Sequence, residues 1–214
     1  MSIKQNIHAI QSELNEAVTL MAVTKNRTDE EIVEAVKAGI TNISESRLRE
    51  LPELPQDITK HFIGRLQSNK VRDVVRLFDV IQSVDSLKLA QKIDKECEKI
   101  GKTIPILIQV NTSNESQKGG VPLSGAENLI TEVLKLRNIQ IQGLMTLAVR
   151  SDDEDEVRAC FKKLKQFFDQ IKNPNFGFRI SDFDILSMGM SEDYRIAIEE
   201  GATMIRLGRG VFES

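Results

Sequence analysis

Short apolar runs alternate with amphipathic segments about eight times along this chain, and that alternation restricts the fold more than any other feature. The first run, Thr19-Leu20-Met21-Ala22-Val23-Thr24-Lys25, closes on a lysine. Thr28, with Glu31 three residues later, then forms a capping-box pattern ahead of Ile32, Val33 and Val36 on one helical face. Strand therefore gives way to helix within a few residues of Lys25. Further strands are expected over 40–43, 58–63, 79–84, 104–110, 139–144, 183–186 and 202–207. The run Ile104 to Val110 is almost continuously apolar, as in a strand buried on both faces of a parallel sheet. Between them the pattern predicts helices over 47–51, broken by Pro52 and Pro55, over 71–78 and 86–101, and from a Ser124/Glu127 capping box to Leu136. Two more follow, one led by the acidic stretch Asp152 to Glu156 and running to Ile171, the other over 192–200.

Ile3, Ile7, Ile10, Leu14 and Val18 recur at spacings of three and four, which adds a helix before the first strand. Eight βα units are the number that closes a TIM-type barrel. The expected fold is thus α/β, a single (β/α)8 barrel domain over residues 1–214 with an extra N-terminal helix. An open doubly wound sheet is the alternative, because periodicity does not show closure.

Composition excludes several classes of function. The chain has 40% hydrophobic and 29% charged residues and a net charge of -3, ordinary values for a globular protein and not basic enough for nucleic acid. The segment Met1 to Glu16 lacks the apolar core of a signal peptide and no run approaches a membrane span, so a cytoplasmic protein without membrane partners is expected. Cys97 and Cys160 show no metal-ligand or redox spacing and read as reduced structural thiols. His8 and His61 are too separated for a metal site, and His61, without a carboxylate partner in view, reads as structural. The glycosylation patterns at Asn111 and Asn114 are read as accidental in the absence of a secretory signal.

In a closed barrel every strand exit faces one mouth, so Lys25, Ser46, Ile63, Asn111, Met145, Ser187, Ser191, Arg206 and Gly208 converge despite their separation in sequence. A lysine held there is positioned to act as a nucleophile. Barrels commonly seat phosphate on the loops after the last two strands with a helix N-terminus. Here those loops carry Ser191, a candidate helix cap, and the small-residue turn Gly208-Arg209-Gly210. Its glycines let backbone N–H groups approach phosphate oxygens, while Arg209 supplies a cation. A lysine facing a phosphate cradle suggests pyridoxal 5'-phosphate, whose aldehyde condenses with an amine. Arg206 is then expected opposite the pyridine nitrogen. An arginine there donates without giving up a proton and leaves the cofactor a weak electron sink.

These residues also fall into a recognisable series. Ala22-Val23-Thr24-Lys25, His61-Phe62-Ile63-Gly64 with Leu66-Gln67-Ser68-Asn69-Lys70, Ser83-Val84-Asp85, Gln109-Val110-Asn111, Lys118-x-Gly120, Gly143-Leu144-Met145, Ser187-Met188-Gly189-Met190-Ser191-x-Asp193 and Arg206-x-Gly208 together resemble the YggS/PROSC family, the pyridoxal phosphate homeostasis proteins. The resemblance covers nearly the whole chain. It implies a barrel of the alanine racemase type with Lys25 as the Schiff-base lysine. Cofactor contacts are implied at Ser46, Ile63, Met188, Ser191, Arg206, Gly208 and Arg209. It further implies a cytosolic protein that holds and buffers the cofactor without defined turnover, for which apoenzymes that use the cofactor are the expected partners. The chain departs from the family pattern at Ser46 (asparagine), Arg209 (threonine) and Glu213 (glycine).

An amino-acid racemase of the same barrel type is the competing reading. It needs a second proton-transfer group, which alanine racemases take from a tyrosine of an added β domain. This chain ends at Ser214 with Tyr194 as its one tyrosine, so the carrier is favoured. With no second domain and no exposed strand edge predicted, a monomer is expected.

Overall fold

Ser2 precedes the first helix: its hydroxyl accepts from the Gln5 N–H while the Gln5 side chain accepts from the Ser2 N–H, a reciprocal capping box that starts α1 (Ile3–Glu13). The computed structural model describes residues 2–113, 115–173 and 175–213. Helix α1 is followed by β1 (Thr19–Val23), α2 (Asp29–Lys37), β2 (Asn42–Glu45), β3 (Thr59–Phe62), α3 (Val71–Leu77), β4 (Val80–Val84), α4 (Leu87–Glu98), β5 (Ile104–Asn111) and β6 (Val121–Pro122). Then come α5 (Leu123–Val133), β7 (Ile139–Met145), α6 (Glu154–Lys172), β8 (Ile185–Ser187), α7 (Tyr194–Glu199), β9 (Met204–Leu207) and α8 (Arg209–Phe212).

Eight strands pair in parallel in the order β1-β2-β3-β4-β5-β7-β8-β9, and β9 returns to β1. The sheet is closed, the outcome that the count of alternating segments favours and that periodicity alone leaves open. The short β6 adds to β5 beside the ring through Val110↔Val121 and Asn111↔Pro122. Outward-facing strand residues such as Ala22, Ile43, Phe62, Ile81, Leu144 and Leu207 join the buried helix faces in one apolar layer. Phe62 meets Phe78 edge-on at 5.4 Å and Phe168 stacks on Phe183 at 5.0 Å within it.

Local differences from the sequence reading have physical causes. No helix forms over 47–51, so β2 connects to β3 through an irregular segment. Proline disfavours helical backbone in the residue before it, which removes Leu51 and Leu54 and leaves too few residues for a stable turn. Arg49 instead holds the segment open by donating to the Arg27 carbonyl at 2.8 Å and pairing with Asp29. Ser124 lies inside α5, whose first residue follows Pro122, and makes no capping bond; the β6 pairing sets the helix start two residues earlier. The Thr28/Glu31 capping box is present as expected. Helix α1 ends at Glu13, before Val18, and packs on α2 and α8, with Asn6 Nδ2 donating to the Val211 and Glu213 carbonyls at 3.1 and 3.2 Å.

Cys97 and Cys160 are free and buried, and burial pushes the Cys97 thiol up to about 11. Among the described residues no helix is long and apolar enough to cross a membrane, and no cluster of His, Cys, Asp and Glu is arranged to hold a metal. The acceptor pattern at Asn114 falls outside the described residues, as does Pro174.

Candidate active site

Strand residues alternate between the helix layer and the barrel interior, so period two decides which side chains can reach the mouth. Along β1 the inward set is Met21, Val23 and, one step past the strand, Lys25. Met21 pairs with Asn42 and Val23 with Ser44, so the same step past β2 reaches Ser46. On β3 His61 lies beside Ser44 and Ile63 follows it; on β9 Arg206 pairs with Met21, and Gly208 follows. The inward alternation thus delivers Lys25, Ser46, Ile63, Arg206 and Gly208 to one end of the barrel.

A cavity of about 260 Å³ opens there, lined by Lys25, Ser46, Ile63, Ser191, Arg206, Gly208 and Arg209 together with Val23, Met145, Leu147, Met190, Glu192 and Asp193. Its size lies just below the roughly 300–1,000 Å³ usual for small-molecule sites. The Lys25 side chain is exposed at its edge. Asn26 follows with φ 63, a left-handed conformation asparagine tolerates, and the Arg27 N–H closes the turn on the Thr24 carbonyl at 3.1 Å. That turn releases Lys25 from the strand before Thr28 caps α2. Gly64 allows the exits of β2 and β3 to touch, since a Cβ there would lie 1.9 Å from the Ser46 carbonyl oxygen.

Arg206 is 2% exposed and anchored from two sides, Nη1 donating to Ser187 Oγ and Nη2 to the Thr146 carbonyl, each at 2.8 Å. Burial brings its guanidinium down to about 10, partly offset by the Asp193 carboxylate, so it remains a cation at neutral pH. Burial likewise raises Asp193, against the opposing effects of its bond from the Met190 N–H and of Arg206. A chain of hydrogen bonds continues inward from Arg206. Ser187 Oγ donates to Gln82 Oε1 at 2.7 Å, Gln82 Nε2 donates to His61 Nδ1 at 3.0 Å, and His61 Nε2–H donates to Asn42 Oδ1 at 2.9 Å. The Gln82 amide thereby sets the tautomer of His61, and burial drops that imidazole to about 4, keeping it neutral. Gln82 Nε2 also lies 3.2 Å from Met204 Sδ. The structural reading of His61 holds, with amides rather than a carboxylate as its partners.

The loops after β8 and β9 differ from the sequence reading. Gly208-Arg209-Gly210 is a helix start, since α8 begins at Arg209, and it is not a turn. Ser191 does not cap α7; Asp193 holds the cap position, and Ser191 Oγ accepts from the Gly210 N–H at 3.3 Å. Arg209 pairs with Glu192 at 2.5 Å, so its charge is shared with a carboxylate. The Met188 side chain does not line the cavity: it is fully buried in the apolar layer between barrel and helices. Asn111 turns away to hold its own loop, Nδ2 donating to the Glu115 carbonyl at 3.0 Å.

Gln82, Thr146 and Asp193, which surround or support Arg206, were not read from sequence as site residues. Gln82 carried a signal, being an amide in the middle of the run Val80 to Val84 where burial on both faces is expected. Thr146 acts through its carbonyl, which no side-chain pattern announces.

The sequence profile of the alanine racemase N-terminal domain matches residues 1–213. The pyridoxal phosphate homeostasis protein of Pasteurella multocida is 34% identical over 98% of this chain and 93% of its own length. That of Synechocystis is 39% identical over 92% and 91%. This chain belongs to the pyridoxal phosphate homeostasis family. Among solved structures, that of the family member PipY of Synechococcus elongatus with pyridoxal phosphate bound matches with a TM-score of 0.89, at 33% identity over 99% of this chain and 100% of PipY. Alanine racemase of Clostridium difficile shares the fold at a TM-score of 0.79, with 18% identity and 57% of that chain covered. The homeostasis family is thus built on the barrel that racemases also use, and Lys25 and Arg206 occupy its mouth.

Proposed function

We propose that this chain binds pyridoxal 5'-phosphate at the barrel mouth, with Lys25 taking the aldehyde, and holds the cofactor for delivery inside the cell without robust catalysis. The observation that carries this reading is the placement of Lys25 and the buried Arg206 on the walls of one cavity of about 260 Å³. When bound, the cofactor supplies an aldehyde that condenses reversibly with a primary amine.

The donor set fits that group. Arg206 has five N–H donors and spends two bonds on Ser187 and Thr146, so its position is set before any ligand arrives. Arg206 would hold the ring nitrogen of the bound group as a donor that keeps its own protons. At the other end Gly208 and Gly210 lie at the start of α8, where backbone N–H groups favour an anion, and Ser191 adds a hydroxyl. Arg209 joins them only by loosening its pair with Glu192. Ile63, Met145 and Leu147 give the cavity apolar wall. Met188, buried in the apolar layer, gives the cavity no side chain.

Racemization, the second reading, needs a proton-transfer group across the cofactor from Lys25. The one tyrosine, Tyr194, is engaged elsewhere, its hydroxyl donating to Glu13 Oε2 on α1 at 3.0 Å. That supports the carrier. The names of the relatives, homeostasis proteins, support the same side.

We further infer that residues 1–214 act as one cofactor-binding domain, monomeric and cytoplasmic, with cofactor-requiring apoenzymes as recipients. Closure of the ring leaves the eight barrel strands without a free edge, which favours a monomer.

Titration of the purified protein with pyridoxal 5'-phosphate is expected to produce an absorption band at the violet edge of the visible. The band should be absent in Lys25→Ala. A featureless wild-type spectrum overturns the assignment, and amino-acid racemase turnover lost in Lys25→Ala promotes the alternative.

A further inference from the structure

A second cavity, of about 490 Å³, lies at the same barrel mouth on the side of β3, β4 and β5, and adjoins the first through Ile63 and Leu147. Its floor contains Ser83, which is 2% exposed and whose hydroxyl has no hydrogen-bond partner among the described residues. A buried hydroxyl without a partner is destabilising and calls for an explanation.

The backbone shows how Ser83 comes to be there. Strand β4 pairs with β5 at Ile81↔Ile106 and again at Val84↔Ile108, so β4 spends one residue more than its neighbour across that interval. Such a bulge re-aims side chains and is common beside functional sites. Gln82 keeps its place in the barrel interior, and Ser83 reaches the cavity.

The same cavity receives the N-terminus of α4, a helix of 12 residues whose Ser86 cap position makes no side-chain capping bond. The first N–H groups of α4 are therefore without an intrahelical or capping acceptor. Arg65 and Lys88, both exposed, line the cavity and make no ion pair among the described residues. Lys118 is already committed to Glu115 at 2.7 Å and to the Ala148 carbonyl. Asp85 is the one carboxylate on the wall and lies against Gly119, where a Cβ would come within 3.9 Å of its Oδ2.

We propose that this cavity is a second ligand site, for a small anion bearing a carboxylate or phosphate, held by the α4 N-terminus, the Ser83 hydroxyl and the Lys88 and Arg65 cations. The arrangement combines free backbone donors, helix-end polarity and positive charge with a hydroxyl lacking a partner, the set an oxyanion satisfies. Its residues are not those proposed to hold the cofactor, apart from the shared apolar wall at Ile63 and Leu147.

The test is a two-dimensional amide NMR titration of the full chain at constant ionic strength, with sodium phosphate in one arm and sodium acetate in the other. Each arm is run on the protein as purified and again after adding pyridoxal 5'-phosphate. Saturable shifts at the Ser83, Leu87 and Lys88 amides are expected, and the arm that saturates at lower concentration identifies phosphate or carboxylate. Lys88→Gln should weaken that binding about tenfold and Ser83→Ala should weaken it measurably. Shifts that stay linear in concentration overturn the proposal. So do shifts confined to Ser191, Gly208 and Gly210, or shifts that neither substitution changes. Because the readout is at α4, it remains interpretable whether or not the cofactor binds at Lys25.

Discussion

Arg206 meets the mouth of the barrel as the last member of a polar line that crosses the interior through Ser187, Gln82, His61 and Asn42. Barrel interiors are usually filled by branched apolar side chains, so such a line is stable only when each member is satisfied. His61 carries the pH dependence of that arrangement. Its imidazole is held near 4 against an ordinary value of 6.5, so between those values the unfolded chain binds a proton that the folded chain refuses. Stability is therefore complete above about pH 6.5 and falls as pH drops towards 4, where the loss reaches about 3 kcal/mol. Urea unfolding at pH 7 and pH 4.5 should show a smaller drop in midpoint for His61→Gln than for the wild type. Equal drops would place the acid sensitivity on the carboxylates alone. At this scale a lysine closing an apolar strand drew attention to Lys25, but alone it reads as a solvated loop lysine, and only the later strand exits and the family resemblance gave it a role. The bonds that orient Arg206 were not legible, since Ser187, although expected at the mouth, and Gln82 acquire their partners only when strands β4, β8 and β9 are brought together.

Elements whose boundaries are set locally were read well, and those set by neighbours were not. Thr28 and Glu31 cap α2 through bonds within four residues, which the sequence displays in full. Thr28→Ala should lower stability by about 1 kcal/mol, while Thr28→Ser keeps the bond and most of the stability, as thermal unfolding of the two variants will show. The pattern at Ser124 looks the same and does not cap, because Val121 and Pro122 pair with β5 and the helix starts directly after them. The stretch 47–51 has helical composition, yet two prolines and the reach of Arg49 to Arg27 and Asp29 keep it irregular. Asp193 takes the cap position expected of Ser191 for a related reason: Asp193 accepts from the Met190 N–H, and Ser191 is left to meet Gly210 from a different element.

Across the whole molecule the two ends of the chain are joined. Asn6, 5% exposed on α1, donates to the carbonyls of Val211 and Glu213 at the end of α8, more than 200 residues away. The start of α8 also brings Gly208 and Arg209 to the mouth, so the N-terminal helix braces one wall of the cavity that Lys25 lines. Asn6→Leu leaves two buried or partly buried carbonyls without that donor and should cost about 1–3 kcal/mol. Hydrogen exchange at the Val211 and Phe212 amides should quicken, and pyridoxal 5'-phosphate retention should fall, without change in the β1 amides. Uniform loss of protection would mean that Asn6 serves global stability only. The alternation of apolar runs and helical faces determined the parallel α/β architecture, the number of strands and the inward register that carries Lys25, Ser46, Ile63, Arg206 and Gly208, because period and burial are properties of the local chain. Closure of the ring was decided by the β4–β5 and β9–β1 pairings. The bulge at Ser83, the anchoring of Arg206 and the pairing of Arg209 with Glu192 were also left to the tertiary structure. Each depends on which distant group arrives opposite, and one-dimensional spacing holds no record of that distance.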